Sequence, residues 1–312
     1  MRIVMTGATS GIGLAAAQAM IARSDVSMVI GTRHPDRLPA QLQGRVTAFP
    51  LDLDDLASVA RFADAVRADG LIDALVCNAG LQLNHPQRSA QGFERSFAVN
   101  HLAHYLLARR LLGDIAPGGR IVLTSSGTHD PAQKTGIPAP RHANAQRLAF
   151  PENDPDVDAK PGMAGRRAYS SSKLCNLMTV RALACRVTDR PDLTILAFDP
   201  GFVPGTGLAR SYSPVINAVF RHILPLVIRG PHVSTAVRSG RALAALVTDA
   251  AFAGGRGLYW SMERGQAIVR TPSMLVRDDA ACAALWDDSA ALTGLTIQPI
   301  MSSRIAARVG PC

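Results

Sequence analysis

The start of the chain most constrains its fold, because an apolar run leads directly into a glycine-rich turn. Residues 2–5 read Arg-Ile-Val-Met, residues 6–13 read Thr-Gly-Ala-Thr-Ser-Gly-Ile-Gly, and residues 14–22 form an alanine-rich helical stretch. A strand, a glycine turn and a helix in this order open the α/β fold that binds dinucleotides. The sequence therefore predicts a doubly wound parallel sheet with a nucleotide at this turn.

The glycines of the turn have different expected tasks. Gly7 permits the sharp turn, Gly11 lets the backbone approach a pyrophosphate, and Gly13 allows the helix to pack closely. The helix N-terminus then offers unpaired N–H groups and a positive dipole end to the phosphates. The residues expected to contact the nucleotide here are Gly7, Thr9, Ser10, Gly11, Ile12 and Gly13.

The end of the second expected strand, at residues 26–31, indicates which nucleotide is bound. Thr32 and Arg33 stand where readers of the unphosphorylated cofactor place an acid that binds the ribose hydroxyls. An arginine fork matches a 2′-phosphate, and the absence of an acid removes repulsion. We therefore expect NADP(H) rather than NAD(H). The alternative is that Arg33 is a surface residue at the start of a helix near residues 35–42.

The remaining apolar runs predict a single α/β domain over residues 1–312, with no repeat, no linker and no second domain. Including the two strands above, we expect about seven strands flanked by helices. The further strands are expected at residues 46–51, 72–77, 119–124, 193–198 and 257–261. The further helices are expected up to residue 68 after a cap at Asp54 and Asp55, and at residues 93–112, 169–186, 234–248 and 278–292.

Polar and small residues follow several of these strands. Asp52 and Leu53 lie where an adenine would bind, and residues 78–80, Asn-Ala-Gly, either contact the adenosine or only stabilise the sheet. Asn100 lies in an apolar helix, where a side-chain amide without hydrogen bonds is costly. We therefore expect it to form hydrogen bonds to the backbone or to water at a functional site. His101 and His104 are expected to pack or lie on the surface. No metal site is expected, because no third ligand stands out.

The segment Tyr169-Ser-Ser-Ser-Lys173 has the spacing that places its first and last side chains on one face of a helix. A lysine ammonium one turn from a phenol stabilises the phenolate, which would let Tyr169 exchange protons near neutral pH. Taken alone, the same spacing is also typical of an ordinary helix surface. The rest of the chain decides between the two interpretations.

Two long stretches interrupt the regular pattern. Residues 127–167 form an insertion rich in proline, alanine and polar residues, which we expect at the mouth of the active site. Residues 208–230 are apolar but broken by prolines and arginines. We favour a lid over an apolar substrate at about residues 202–232, with a core helix and a membrane-surface helix as open alternatives.

Charge and cysteine usage limit the partners and the compartment. The net charge of +9 comes from scattered basic residues, which indicates a solvated surface or attraction to an anionic ligand or membrane surface, and not nucleic acid. The five cysteines have no CxxC spacing, which favours reduced thiols. Because the first residues lead straight into the strand, we expect no signal peptide, and without a run of about 18 apolar residues we expect no spanning helix. We expect a cytoplasmic protein.

Several of these features occur together and in a fixed order. They are the turn at residues 6–13, Asn78-Ala79-Gly80, Asn100, Ser126, Tyr169 with Lys173, and Pro200-Gly201. In this combination the chain resembles the short-chain dehydrogenase/reductase superfamily, over residues 2 to about 293. Residues 100–107, 169–176, 206–208 and 257–260 resemble one branch more closely, that of light-dependent protochlorophyllide reductases and retinol dehydrogenase-like enzymes.

The resemblance implies a catalytic role for four residues. Tyr169 would be the general acid/base, and Lys173 would lower the pKa of Tyr169 and hold the nicotinamide ribose. Ser126, chosen over Ser125 by the register of the family, would bond the substrate oxygen, and Asn100 would hold a water that links Lys173 to solvent. The resemblance further implies cofactor contacts at Pro200, Gly201, Val203 and Thr206.

The function expected from this resemblance is NADP-dependent hydride transfer to or from a small lipophilic carbonyl or alcohol. Photoenzymes of this branch usually carry alanine in place of Gly80 and cysteine in place of Phe202, and their insertion differs. These departures favour a dark reaction. The alternatives are a light-driven reductase of a tetrapyrrole double bond and a non-catalytic NADP-binding regulator. Helices at residues 93–112 and 169–186 often form dimer faces in the family, so homo-oligomerisation stays open, as does peripheral membrane contact.

Overall fold

A computed structural model describes residues 1–204 and 230–296, and these residues form an α/β fold around one sheet. The sheet has eight strands in the described part of the chain, in the order β3-β2-β1-β4-β5-β6-β7-β8. The strands are β1 (Arg2–Thr6), β2 (Ser27–Thr32), β3 (Thr47–Pro50), β4 (Ile72–Cys77), β5 (Ile115–Thr124), β6 (Thr194–Asp199), β7 (Arg256–Glu263) and β8 (Gln266–Arg270). Strands β1 to β7 are parallel, which confirms the predicted doubly wound sheet.

The sequence prediction missed β8, which pairs antiparallel with β7 at the edge of the sheet. The two strands are joined by Arg264 and Gly265, which both have positive φ, of 48° and 85°. Two successive residues of this kind form the tight hairpin turns that suit the twist of paired strands. Because β8 is short and partly exposed, it lacks the apolar pattern that marked the other strands.

Helices cover both faces of the sheet and form two apolar cores. Within residues 1–204 and 230–296 the helices are α1 (Gly11–Ile21), α2 (Leu56–Ala68), α3 (Arg95–Phe97), α4 (Ala103–Leu111), α5 (Ala145–Ala149), α6 (Pro161–Arg186), α7 (Ala236–Thr248) and α8 (Asp279–Leu292). Helices α1 and α7 pack on one face, where a Cβ on Gly240 would lie only 2.6 Å from the Ala15 Cβ. Helices α2, α4, α6 and α8 pack on the other face.

The helix expected near residues 35–42 is absent, and turns occupy that segment. Pro39 lies in its middle and lacks the N–H that a helix interior needs, which explains the error. The helix expected at residues 93–112 is interrupted by a π-helical segment, Ala98–Leu102, between α3 and α4. Asn100 lies within this segment, and such π-bulges are frequent at functional sites.

The stretch expected to be an irregular insertion at residues 127–167 is partly helical. It contains α5, three short 3₁₀ turns and the first turns of α6, which begins at Pro161 and runs through Tyr169 and Lys173 as one helix of 26 residues. Of the expected lid at about residues 202–232, all but its two ends lies outside the described residues. At those ends, Phe202 forms a parallel β-bridge with Val233.

The thiol expectation was correct for three cysteines and wrong for one. Cys77, Cys175 and Cys282 are free and buried, whereas Cys185 is disulfide-bonded. Within residues 1–204 and 230–296, no helix is both long and apolar enough to cross a membrane. Over the same residues, no group of three or more His, Cys, Asp or Glu side chains is arranged to hold a metal ion.

Candidate active site

A groove of about 580 Å³ runs along the carboxyl ends of the central strands. Its walls include most of the residues that the sequence predicted for a nucleotide and for catalysis. These are Gly7, Thr9, Ser10, Gly11, Ile12, Gly13, Arg33, Asp52, Leu53, Asn78, Ala79, Gly80, Tyr169, Lys173 and Pro200. Asn100, Ser126, Gly201 and Val203 do not line the groove, and Thr206 lies outside the described residues.

Sequence reasoning missed several other residues of the groove wall. His34, Leu51, Asp54, Leu81, Gln82, Leu83, Gln87, Arg95, Val99, Thr124 and Ser125 also line it. Thr124 is the last residue of β5, and Leu51 and Ser125 directly follow β3 and β5, so close attention to the strand ends would have found these three. The ion pair between Arg95 Nε and Asp54 Oδ1, at 3.0 Å, required the structure.

The glycine turn packs tightly against the end of β4. Gly7 has φ of 70°, and a Cβ there would lie 2.7 Å from the Ala79 Cα. A Cβ on Gly13 would lie 1.9 Å from the Gly7 carbonyl oxygen and 2.6 Å from the Asn78 Nδ2. Side chains larger than hydrogen are therefore excluded at both positions, in agreement with the sharp turn and the close helix packing expected from the sequence.

The Thr6 hydroxyl joins the glycine turn to the next strand end. Its oxygen accepts hydrogen bonds from the backbone N–H groups of Asn78, at 3.0 Å, and Ala79, at 3.1 Å. It also lies 2.9 Å from Nε2 of His104, to which the hydroxyl donates. Burial lowers the pKa of His104 to about 4, so its ring is neutral, and its Nδ1–H donates to the Asn100 carbonyl at 3.0 Å. His104 thus links the turn to the π-helical segment.

The Asn100 amide is fully bonded to protein groups. Its Oδ1 accepts from the Leu81 N–H at 2.8 Å, and its Nδ2 donates to the Leu81 carbonyl at 2.8 Å and to the Ser172 Oγ at 2.9 Å. The backbone partners agree with the expectation for a buried asparagine. Asn100 therefore fixes the loop after β4 against α6, close to Lys173. The neighbouring His101 is buried and pairs with the Ser289 Oγ at 3.0 Å.

Tyr169 and Lys173 lie one turn apart on α6, and both are buried. The Lys173 Nζ lies 5.8 Å from the centroid of the Tyr169 ring and donates to the Thr124 carbonyl at 3.2 Å. A Cβ on Gly80 would lie 3.2 Å from the same Nζ, so the glycine leaves room for the ammonium group. Burial lowers the pKa of Lys173 to about 8, and the negative charge of Asp199 opposes this decrease.

The two serines after β5 face different partners. The Ser125 Oγ donates to the Lys173 carbonyl at 2.8 Å, whereas the Ser126 side chain hydrogen-bonds to Tyr169. Ser126, and not Ser125, is therefore the serine that interacts with Tyr169. Its backbone carbonyl accepts from Nδ1 of His129 at 2.7 Å.

The pKa of Tyr169 differs from the expectation that Lys173 would lower it. Burial raises the pKa of Tyr169 to about 12, the hydrogen bond from Ser126 opposes this increase, and the charge of Asp199 adds to it. The Lys173 ammonium group donates to the Thr124 carbonyl. The phenol is therefore protonated at neutral pH.

A polar network around Asp199 was not predicted from the sequence. The Asp199 carboxylate, at the end of β6, accepts hydrogen bonds from the Tyr259 hydroxyl at 3.1 Å and the Ser261 hydroxyl at 2.8 Å. The His129 ring packs edge-on against the Tyr259 ring, with 5.2 Å between their centroids. An aspartate at the end of an otherwise apolar strand was the one signal that could have pointed to this network.

Comparisons with known proteins agree with this geometry. Residues 1–136 match the sequence model of the family described as short chain dehydrogenase. Protochlorophyllide reductase A of Oryza sativa subsp. japonica is 32% identical, over 94% of this chain and 80% of the relative. The protochlorophyllide reductase of Chlamydomonas reinhardtii is 34% identical, over 94% of this chain and 78% of the relative. The chain therefore belongs to the short-chain dehydrogenase family.

Solved structures share the same fold. An uncharacterized protein from Mycobacterium paratuberculosis is 26% identical, with a TM-score of 0.69 and coverage of 94% of this chain and 93% of that chain. A 3-ketoacyl-(acyl-carrier-protein) reductase from Brucella melitensis, complexed with NADH, has a TM-score of 0.59 at 20% identity, covering 86% of this chain and 98% of that chain. At that identity the likeness concerns the fold alone.

Proposed function

We propose that this protein transfers hydride between NADP(H) and a small lipophilic carbonyl or alcohol, with Tyr169 as general acid/base. The observation that carries the proposal is the corner formed by Tyr169, Ser126 and Lys173. There, a buried phenol is hydrogen-bonded to the serine, and the buried lysine lies one helical turn away. This corner adjoins a groove of the size and lining that a dinucleotide needs.

The residues of the groove fit NADP(H) in their chemistry. The glycine turn and the N-terminus of α1 provide backbone N–H groups for the pyrophosphate. Arg33 and His34 line the groove beyond β2, where Arg33 matches the 2′-phosphate. When bound, the reduced cofactor supplies the hydride, and every other task falls to the protein.

In carbonyl reduction, the substrate carbon accepts the hydride while its oxygen accepts a proton from the Tyr169 hydroxyl. The Ser126 hydroxyl orients this oxygen and stabilises the charge that develops on it. The Lys173 ammonium would stabilise the tyrosinate left behind and would hold the nicotinamide ribose. Asn100 holds the loop after β4 against α6 through its bonds to Leu81 and Ser172, so the water that the family resemblance implied at its side chain is replaced by protein partners.

A second candidate is light-driven reduction of a protochlorophyllide double bond, which the names of the curated relatives favour. Two positions of the site argue for the dark reaction. Gly80, beside Lys173, stands where photoenzymes of this branch usually have alanine. Phe202, which is 41% exposed, stands where they usually have cysteine. A third candidate is a non-catalytic NADP-binding regulator. The intact set of Ser126, Tyr169 and Lys173 argues against it, because a regulator would not require these three residues.

The deciding experiment follows NADPH consumption by the purified protein with a panel of apolar aldehydes and ketones, including retinal, and with protochlorophyllide. Each reaction is run in the dark and under illumination, with Tyr169→Phe as the matched control. We expect turnover in the dark on a carbonyl substrate and none in the variant. Turnover only with pigment and light would establish the second candidate. NADPH binding without any turnover would support the regulator.

A further inference from the structure

The segment that carries Ser126 leaves the sheet just before the serine. The pairing of β5 with β6 ends at Thr124 and Phe198, and the Ser125 N–H still donates to the Phe198 carbonyl at 2.7 Å. Ser126 is the next residue, and it begins the 3₁₀ turn Gly127–His129. The pairing of the strands therefore does not fix the residue that the proposed function assigns to the substrate oxygen.

His129, at the end of this turn, holds the Ser126 backbone. Its own N–H donates to the Ser126 carbonyl oxygen at 3.2 Å, and its ring Nδ1–H donates to the same oxygen at 2.7 Å. The Ser126 Oγ in turn accepts from the Thr128 N–H at 3.3 Å. His129 is completely buried, so water does not compete for its bonds and the ring restrains the serine.

Two further elements fix the ring of His129. The Ser273 N–H, in the connection between β8 and α8, donates to the ring Nε2 at 3.4 Å. The Tyr259 ring of β7 packs edge-on against the imidazole, with 5.2 Å between their centroids. Because a backbone N–H only donates and a carbonyl only accepts, the two partners require the neutral tautomer with its proton on Nδ1. Burial lowers the pKa of His129, which favours this neutral ring.

The turn has little room to readjust if the bond from His129 is lost. A Cβ on Gly127 would lie 2.1 Å from the Gln133 Oε1 and 3.3 Å from the Asp199 Oδ2. The Asp199 carboxylate is itself held by the hydroxyls of Tyr259 and Ser261, at 3.1 and 2.8 Å. These groups limit movement of the turn on the side of Gly127.

We propose that His129 is a positioning residue that places the Ser126 hydroxyl for the substrate oxygen by holding the Ser126 carbonyl. Such placement tolerates little error, since a displacement of about 1 Å costs on the order of 10²-fold in rate. Through Ser273 and Tyr259, the ring refers the position of the serine to β7 and to the chain that leads into α8. The inference rests on the proposed function, because Ser126 receives its task there.

The test compares His129→Asn with His129→Leu in the full chain. The two new side chains have nearly the same shape, but only asparagine keeps a donor, its Nδ2, at the position of the imidazole Nδ1. Both variants lose the Nε2 acceptor and the contact with the Tyr259 ring. The comparison therefore isolates the donor to the Ser126 carbonyl from the other contacts of the ring.

The kinetic readout uses any carbonyl that the protein reduces. We expect kcat of His129→Leu to lie about tenfold below that of His129→Asn, the usual effect of one lost hydrogen bond. KM for NADPH should be the same in the two variants, since His129 does not line the nucleotide groove. Equal kcat values, or a difference confined to KM for NADPH, would overturn the proposal.

The same pair of substitutions in the Ser126→Ala protein separates positioning from a merely structural role. Without the serine hydroxyl His129 has nothing to position, so the two double variants should have equal kcat values, measured in single turnovers. A structural role would leave the difference between asparagine and leucine unchanged in this background. That result would also overturn the proposal.

Hydrogen exchange tests the contact without a substrate. The Thr128 N–H is bonded by the Ser126 Oγ, so its exchange rate reports whether the serine side chain stays in place. We expect exchange at Thr128 to be about tenfold faster in His129→Leu than in His129→Asn, and equal rates would contradict the proposal. If neither variant folds, the assigned ¹⁵N spectrum of the wild-type ring decides. A proton on Nδ1 supports the role, and a proton on Nε2 or a charged ring at neutral pH rejects it.

Failure of the proposed function gives a different pattern of results. If no carbonyl is reduced but exchange at Thr128 differs between the two variants, His129 still holds Ser126, and it is the assigned reaction that is wrong. Conversely, turnover that is lost in Ser126→Ala, together with equal kcat values and equal exchange in the two His129 variants, supports the reaction and rejects the role of His129.

Discussion

The nucleotide groove and the catalytic corner are built in opposite ways. In the groove, glycines and backbone groups determine the shape, as at Gly7 and Gly13, where a Cβ would collide with the main chain. In the corner, buried polar side chains determine the chemistry, and burial changes the pKa of Tyr169 and of Lys173 in opposite directions. Substitutions in the two regions should therefore have different effects. Those in the groove should weaken nucleotide binding, and those in the catalytic corner should lower turnover.

The sharpest test of this difference is Tyr169→Phe. Without the phenol proton, turnover should fall by about 10²–10⁴-fold, the usual contribution of general acid catalysis. NADPH affinity should stay within about threefold, because the hydroxyl contributes little to holding the nucleotide. Steady-state kinetics and fluorescence titration of NADPH measure the two quantities. Near-normal turnover would remove Tyr169 from the mechanism.

The complementary change in the groove is Gly13→Ala. The added methyl would lie 1.9 Å from the Gly7 carbonyl oxygen, so the turn or α1 must move. Overpacking of this kind lowers the free energy of unfolding by about 3 kcal/mol, and the displaced turn should weaken NADPH binding. Thermal or urea unfolding and NADPH titration measure both effects.

The matched control for Gly13→Ala is Gly113→Ala. No atom lies within 4 Å of the Cβ position at Gly113, and its φ is ordinary. We expect no loss of stability or of NADPH affinity there. Equal destabilisation by the two substitutions would mean that close packing at the turn is not the reason for the glycine.

Arg33→Ala tests the nucleotide preference at the outer end of the groove. Loss of a charged hydrogen-bonding partner should raise the Kd of NADPH by about 10- to 100-fold and leave that of NADH nearly unchanged. Arg37→Ala is the control, since Arg37 is also exposed but does not line the groove. A parallel loss of affinity for both nucleotides would refute recognition of the 2′-phosphate.

The two regions also differ in how well the sequence predicted them. The turn at residues 6–13 was predictable because local backbone geometry permits only glycine at Gly7 and Gly13. The parallel strands were predictable because each is a buried apolar run bounded by turn residues. By contrast, β8 was missed because it follows a hairpin turn of two residues with positive φ. The helix expected at residues 35–42 is absent because of the proline in its interior.

In the catalytic corner, the residue types were predictable but their electrostatics were not. The spacing of Tyr169 and Lys173 indicated a shared helix face, yet the ammonium group lies against the Thr124 carbonyl, and burial dominates both pKa values. Asp199 bonds to Tyr259 and Ser261, which lie 60 and 62 residues further along the chain and reach it only when β6 and β7 pair. Such long-range contacts leave no periodic pattern in a single sequence.

Gly80 lies where the two regions meet, and Gly80→Ala should produce the smallest effect. The new methyl would lie 3.2 Å from the Lys173 Nζ and 3.4 Å from the Asn100 Oδ1, which is tight without being a collision with the main chain. The ammonium group can yield by a few tenths of an ångström, so we expect stability and NADPH affinity to change little. Displacement of the lysine should lower kcat by on the order of two- to tenfold.

The kinetic constants of the Gly80→Ala variant separate a catalytic effect from a structural one. Because the methyl acts through Lys173, it should change kcat at saturating NADPH while KM for the nucleotide stays constant. If Gly80→Ala instead weakens NADPH binding as strongly as Gly13→Ala does, Gly80 belongs to the groove, and the boundary between backbone-built and side-chain-built regions lies closer to Lys173 than the structure places it.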